Sequence, residues 1–161
     1  MRKLKIYLET SVISYLDQLD APKEMDVTHK LWERVKAGVF DVVLSNVVFF
    51  ELAKCVPKKN AILKSYLAQI QYKRVEVNAD MLRIADTMVD LKILNQKSYL
   101  DCQHIAAAVV SGCEAVVSWN FTHIVNHKTM WGVKAITALE GRSDLLIYTP
   151  QALLGGEDDG E

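Results

Sequence analysis

Cysteine is scarce: Cys55, Cys102 and Cys113 are an odd number with no C-x-x-C pair. That excludes a disulfide framework and a structural zinc site, and predicts three reduced, partly buried thiols. Glycine and proline number only 7 and 3 in 161 residues, and half the chain is apolar, which excludes collagen-like and disordered classes. No apolar run approaches the roughly 18 residues of a membrane span; the longest is Ile105 to Val110. The first residues alternate at once and meet an acid at Glu9, unlike a secretory leader. The expectation is a cytoplasmic protein that meets no membrane. There is no P-loop, G-x-G-x-x-G, G-x-S-x-G or H-E-x-x-H, so nucleotide-cradling, nucleophile-elbow and zincin chemistries lack their parts.

Charge of one sign is also missing overall: 19 Lys and Arg stand against 20 Asp and Glu. The distribution is uneven, because residues 1–80 are slightly basic and four later acids, Glu157, Asp158, Asp159 and Glu161, sit in a Gly-containing tail. The length suits one domain. We read residues 1–154 as that domain and 155–161 as an acidic flexible tail.

What is present alternates strand-like and helix-like segments. Strands are predicted at Lys3–Leu8, Asp41–Leu44, Arg74–Val77, Ala115–Ser118 and Leu145–Tyr148 from short apolar or alternating runs. Helices are predicted at Val12–Leu19, Asp26–Ala37, Val47–Ala53, Lys59–Gln71, Asn78–Leu91, Tyr99–Ser111 and His127–Leu139. Pro57 ends the third of these or starts the next. Tyr99–Ser111 is apolar nearly all round after its first turn, so it should be a buried central helix stopped by Gly112. Strands separated by helices imply a mostly parallel sheet covered on both faces.

In such a fold the carboxyl ends of the strands are where ligands sit. Glu9 ends the first strand, Asp101 opens the apolar helix, and Asn120 follows the fourth strand. Glu51 lies inside the apolar run Val47–Ala53, where a buried face would not normally carry a carboxylate. Singly, Glu9 and Asp101 are also explained as first-turn acids at a helix start, and Glu51 as a solvated position. Together they suit Mg²⁺ or Mn²⁺, hard ions that take oxygen ligands and keep several waters. Such an ion can lower the pKa of a water and neutralise charge on a phosphodiester under in-line attack.

Weaker candidates are His104, one turn after Asp101 and explicable as a core histidine with a backbone partner, and His123 with His127 at i, i+4 spacing. Trp119 and Phe121 can pack or stack on a base. Lys54, Lys58 and Lys59 can meet phosphate or simply end a solvated helix.

The segments KIYLETSVISYL, VVFFELAK, YLDCQHIAAAVVSGCEAVVSWNFTHIVN and LLIYTPQALL, in that order, resemble a PIN domain, similar to VapC-type toxin ribonucleases. The resemblance implies a three-layer α/β/α fold with a mostly parallel central sheet and Mg²⁺- or Mn²⁺-dependent endoribonuclease activity on RNA. It further implies a homodimer and an antitoxin protein as partner. The family's acids fall on Glu9, Glu51 and Asp101 as metal ligands, with Asn120 as a fourth catalytic position. Thr10 or Ser11 falls where a hydroxyl orients water or phosphate, and His123 lies near where many relatives place another acid. Lys54 is added as a substrate contact. Two departures stand out: Glu9 replaces the usual Asp and reaches about 1.5 Å further, where catalytic geometry tolerates little, and Asn120 carries no charge. They imply one well-held ion, a second being recruited by substrate phosphate. They also motivate the alternative of a PIN-fold RNA-binding or protein-interaction module that has lost cleavage.

Overall fold

A computed structural model describes residues 2–155 of the chain; the acidic tail beyond Gly155 lies outside the described residues. The strands are β1 (Leu4–Leu8), β2 (Phe40–Ser45), β3 (Lys73–Val75), β4 (Ala115–Val117) and β5 (Leu146–Tyr148). The helices are α1 (Thr10–Ser14), α2 (Pro22–Lys36), α3 (Asn46–Leu52), α4 (Pro57–Leu67), α5 (Ala79–Asp90), α6 (Tyr99–Val110), α7 (His127–Leu139) and α8 (Pro150–Leu154).

The sheet is parallel throughout, in the order β3-β2-β1-β4-β5. β1 is central, with Ile6 level with Val42 on one side and Ala115 on the other. From β1 the chain moves outward through β2 and β3, then returns across the sheet to β4 and β5. Right-handed crossovers place the outward helices on one face and the returning ones on the other. The packing agrees: α2 lies against β2 and α8, and α5 lies along α6 and against α7. The direction reverses between β1 and β4, so their carboxyl ends open the crevice in which doubly wound sheets bind ligands.

The core is aliphatic. Ile6, Leu8, Leu44, Val116 and Val117 from the sheet and Ile105 through Ala108 of α6 are all fully buried and belong to one cluster. Thus α6 is the buried central helix its composition predicts, and Gly112 follows it at φ 72°, a left-handed turn that favours glycine. Cys102 and Cys113 are buried free thiols, and burial pushes both up to about 12; Cys55 is half-buried and also free.

Several boundaries differ from the sequence reading, each for a local reason. The helix expected at Val12–Leu19 starts earlier, at Thr10 directly after an extended Glu9, and ends at Ser14 in a short 3₁₀ turn over Tyr15–Asp17. The helix expected from Asp26 begins four residues sooner because Pro22 occupies its first turn, where a missing N–H costs nothing. Pro57 likewise starts α4, which closes at Leu67 and not Gln71. α8 was not anticipated, although Thr149-Pro150 is a start signal: Thr149 Oγ1 accepts the Ala152 N–H at 2.9 Å.

Candidate active site

Glu9 leaves the carboxyl end of β1 with its N–H bonded to the Val117 carbonyl of β4, so the backbone itself ties it to the switch point. Its side chain is only 5% exposed. Two hydroxyls, Ser11 Oγ and Ser118 Oγ, donate to the same oxygen, Glu9 Oε1, each at 2.6 Å. Those hydroxyls in turn accept consecutive backbone N–H groups, from Trp119 at 2.8 Å and Asn120 at 2.9 Å. The loop after β4 therefore fixes the longer glutamate side chain through two serines. The extra methylene predicted to displace the carboxylate is accommodated by this cradle.

The second acid, Glu51, comes from the last turn of α3. Its Oε1 accepts from Thr10 Oγ1 at 2.6 Å and lies 2.6 Å from His104 Nε2. His104 is fully buried on α6, and its other nitrogen, Nδ1, is 2.6 Å from the Tyr7 hydroxyl, itself 2.7 Å from Ser45 Oγ. Burial alone would lower the His104 pKa; the bond to Glu51 and the charges of Glu9, Glu51 and Asp101 outweigh it, so the net direction is up. Burial would raise Glu51, but His104, Thr10 and the charge of Lys54 hold it below its ordinary value. Burial raises the Tyr7 phenol well above its ordinary range.

Asp101, in the first turn of α6, faces the loop after β4. Its Oδ2 lies 3.0 Å from His123 Nδ1, and Asn120 Nδ2 reaches its Oδ1 at 3.5 Å. Its pKa moves up, first because it is buried and then because of the charge of Glu9; His104 and His123 act in the opposite sense. Ligand atoms of Glu9, Glu51 and His104 lie within 4.8 Å of one another.

The structure thus gathers Glu9, Thr10, Ser11, Glu51, Asp101, Asn120 and His123 along the carboxyl edge of the sheet. Their hydrogen bonds give each side chain its partners there. Thr10 and Ser11 donate their hydroxyl protons to Glu51 and Glu9. Asn120 Oδ1 accepts the His123 N–H at 2.9 Å, and its amide N–H₂ faces Asp101. His104 finds side-chain partners where a backbone partner was expected.

Lys54 stays at the rim, its Nζ 4.4 Å from the Phe50 ring centre. Lys59 is drawn to Gln18 Oε1 at 2.8 Å. Trp119 packs, stacked on Tyr15 and donating to Thr28 Oγ1, whereas Phe121 is 58% exposed and not part of the core. His123 precedes α7 while His127 opens it, so the two do not share a helical face.

Sequence reasoning missed Tyr7, Ser45 and Ser118. A signal existed for Tyr7, two residues before Glu9 and hence on the same face of β1. Asp101 and His104, three apart on α6, share a face by the corresponding helical rule. Ser45 and Ser118 are strand-end serines whose partners lie far away in sequence.

Carboxylates and hydroxyls from three elements make a hard-oxygen donor set. Burial and then the charge of Glu9 raise Asp101, and a divalent cation nearby would offset both. The oxygens of Glu9 and Glu51, which approach one another, suit a hard ion such as Mg²⁺ or Mn²⁺. Both His104 nitrogens are already engaged, one of them by Glu51.

The fold is similar to the crystal structure of VapC20 from Mycobacterium tuberculosis, a toxin that cleaves the sarcin-ricin loop (TM-score 0.55, 17% identity, 73% of this chain and 92% of that one). It is also similar to VapBC2 from Rickettsia felis bound to a DNA fragment from its promoter (TM-score 0.56, 13% identity, 91% of this chain and 98% of that one). No curated protein sequence matches the chain significantly. At these identities the likeness is one of fold, but residues 6–120 match the PIN domain, most of the chain, and the protein belongs to the PIN domain family.

Proposed function

We propose that this protein is a metal-dependent endoribonuclease of the VapC kind, hydrolysing RNA phosphodiester bonds at the carboxyl edge of the sheet. The observation that carries the reading is the approach of Glu9 and Glu51 at the carboxyl edge of the sheet, with Asp101 near enough to feel the charge of Glu9. These three carboxylates would hold Mg²⁺ or Mn²⁺. When bound, the ion would supply an acidified water and charge neutralisation at the phosphate.

The chain's own residues do the rest. Ser11 and Ser118 hold Glu9, while Thr10 and His104 hold Glu51, so neither carboxylate needs to reorganise when substrate arrives. Asn120 and His123 hold Asp101 from the side on which the loop after β4 is exposed. His123 is thereby placed between the acids and solvent, where it can meet a phosphate oxygen or a leaving hydroxyl. Lys54 supplies positive field at the rim. VapC20 is a sarcin-ricin loop cleaving toxin, and VapBC2 is bound to a DNA fragment from its promoter. By that analogy we read the protein as the cytoplasmic toxin of a toxin-antitoxin pair, working as a homodimer. Among the described residues no helix is long and apolar enough to cross a membrane.

The test is cleavage of mixed structured and single-stranded RNA with Mn²⁺, Mg²⁺ or EDTA, wild type beside Asp101→Asn. Metal-dependent cleavage that the substitution abolishes, with RNA binding retained, supports hydrolysis. Folded wild type that binds RNA and cuts it with neither metal supports the binding-module alternative.

A further inference from the structure

One cavity, about 710 Å³, opens at the amino ends of β1, β2 and β3, on the edge opposite the acids. A smaller one, about 480 Å³, adjoins them. It lies between the turn after α5 and the start of α7, and its size suits a small organic ligand. His123 is shared: it lines the cavity, and its Nδ1 contacts Asp101 Oδ2 at 3.0 Å and Ser98 Oγ at 3.4 Å. Its backbone is pinned from both sides, the N–H by Asn120 Oδ1 at 2.9 Å and the carbonyl by Thr129 Oγ1 at 2.7 Å. The wall between cavity and acids is therefore fixed.

The lining changes character along its length. Ile93 and Leu94 are buried and give an apolar surface, and Asn95 and Gln96 add exposed amides, each with a donor and an acceptor. Lys92 and Lys128 bring two ammonium groups that, among the described residues, form no ion pair. This is the reverse of the acidic centre one residue away.

An independent observation concerns Lys92. It has φ 60°, the one positive value outside glycine among the described residues. It follows Leu91 at the end of α5, where the Lys92 and Ile93 N–H groups bond back to Val89 and Met88. That helix stop ordinarily takes glycine, because a side chain strains the left-handed backbone. Strain of this kind collects where a side chain is needed. Glycine would serve the backbone better but would remove the ammonium from the cavity.

We propose that this cavity is the subsite for a nucleotide of single-stranded RNA adjacent to the scissile bond, its base against Ile93, Leu94 and the Asn95 and Gln96 amides and its phosphate between Lys92 and Lys128. The proposal deepens the nuclease reading and rests on it. Single-stranded RNA is read by apolar or stacking contact with the base and amide bonds to its edges, while phosphates give a salt-dependent, sequence-blind contribution. The cavity presents both kinds of group.

The test uses the full chain and short, end-labelled single-stranded oligoribonucleotides of each homopolymer and of mixed sequence. Binding is measured in EDTA across salt concentrations, and cleavage in Mn²⁺, for wild type, Lys92→Gly, Lys128→Ala and Thr122→Trp, the last placing an indole at the exposed mouth. Lys92→Gly should melt at a higher temperature yet bind several-fold more weakly, an opposition that no loss of folding produces. Each lysine removed should reduce the slope of log affinity against log salt by about 0.7. Thr122→Trp should leave the melting temperature unchanged and alter the preference among homopolymers.

If wild type cleaves but all three variants keep its affinity, salt slope and base preference, the subsite is wrong and hydrolysis stands. If the variants weaken binding as stated while no metal supports cleavage, the subsite stands and hydrolysis falls. Wild type that fails to bind any oligonucleotide overturns the subsite.

Discussion

His104 Nε2 and Glu51 Oε1 lie 2.6 Å apart, joining a fully buried imidazole on α6 to a carboxylate on α3. The bond ends a chain that begins at Ser45 and passes through the Tyr7 hydroxyl and the His104 ring. Every link is between side chains distant in sequence, so the orientation of Glu51 depends on the packing of β1, β2 and α6 together. Buried polar chains of this kind are favourable only when complete.

Tyr7→Phe tests the chain without changing its shape. It leaves buried His104 Nδ1 and Ser45 Oγ without their shared partner. Equilibrium urea unfolding should show a loss of about 1–3 kcal/mol. A variant as stable as wild type would mean that the hydroxyl is dispensable to the core.

Ser118→Ala tests the cradle of Glu9. The substitution removes one of the two donors to Oε1 and leaves the Asn120 N–H without its acceptor. Groups that orient metal-binding carboxylates typically matter by about 10–100-fold in metal affinity. Calorimetric titration with Mn²⁺ should show weakening in that range with the fold retained. Unchanged affinity would place the ion away from Glu9.

Gly132→Ala tests the packing of α7 against the segment that follows α5. Gly132 lies in α7, and a Cβ there would come 2.4 Å from Ile93 Cγ2. Alanine favours the helix by about 1 kcal/mol, but displacing a buried branched side chain costs about 1–3 kcal/mol. Net destabilisation is expected by thermal melting. In an Ile93→Ala background the same substitution should become neutral or stabilising.

Arg83→Ala tests pH dependence. Arg83 bonds Asp80 at 2.7 Å and both oxygens of Glu140, tying α5 to the end of α7. The Arg83 bond holds both carboxyls below their ordinary values, although burial pushes slightly the other way. A lowered folded pKa contributes stability above the unfolded value that is lost as pH falls through the folded one. The melting temperature difference between wild type and Arg83→Ala should therefore be largest at neutral pH and vanish once both carboxyls are protonated. High salt should shrink it too, since the groups are exposed.

The layered fold was legible in the chain's own periodicity. Strand and helix periods depend on neighbours two to four residues away, so the five strands, α5, α6 and α7 could be read with end errors of one residue or so. Proline and threonine at helix starts explain the boundaries missed at Pro22 and Pro150, where a local signal existed, and Pro57 starts a helix, one of the two readings it allowed. The acids Glu9, Glu51 and Asp101 were also legible, because each interrupts an apolar pattern or ends a strand. What holds them is visible only in the folded chain. Ser118 meets Glu9, His104 meets Glu51 and His123 meets Asp101 across separations set by the sheet order, and hydrogen bonds between distant side chains leave no periodic trace in a single chain. The same reason hid the cavity beside Asp101, which exists because the α5 stop at Lys92 and the start of α7 are folded against one another.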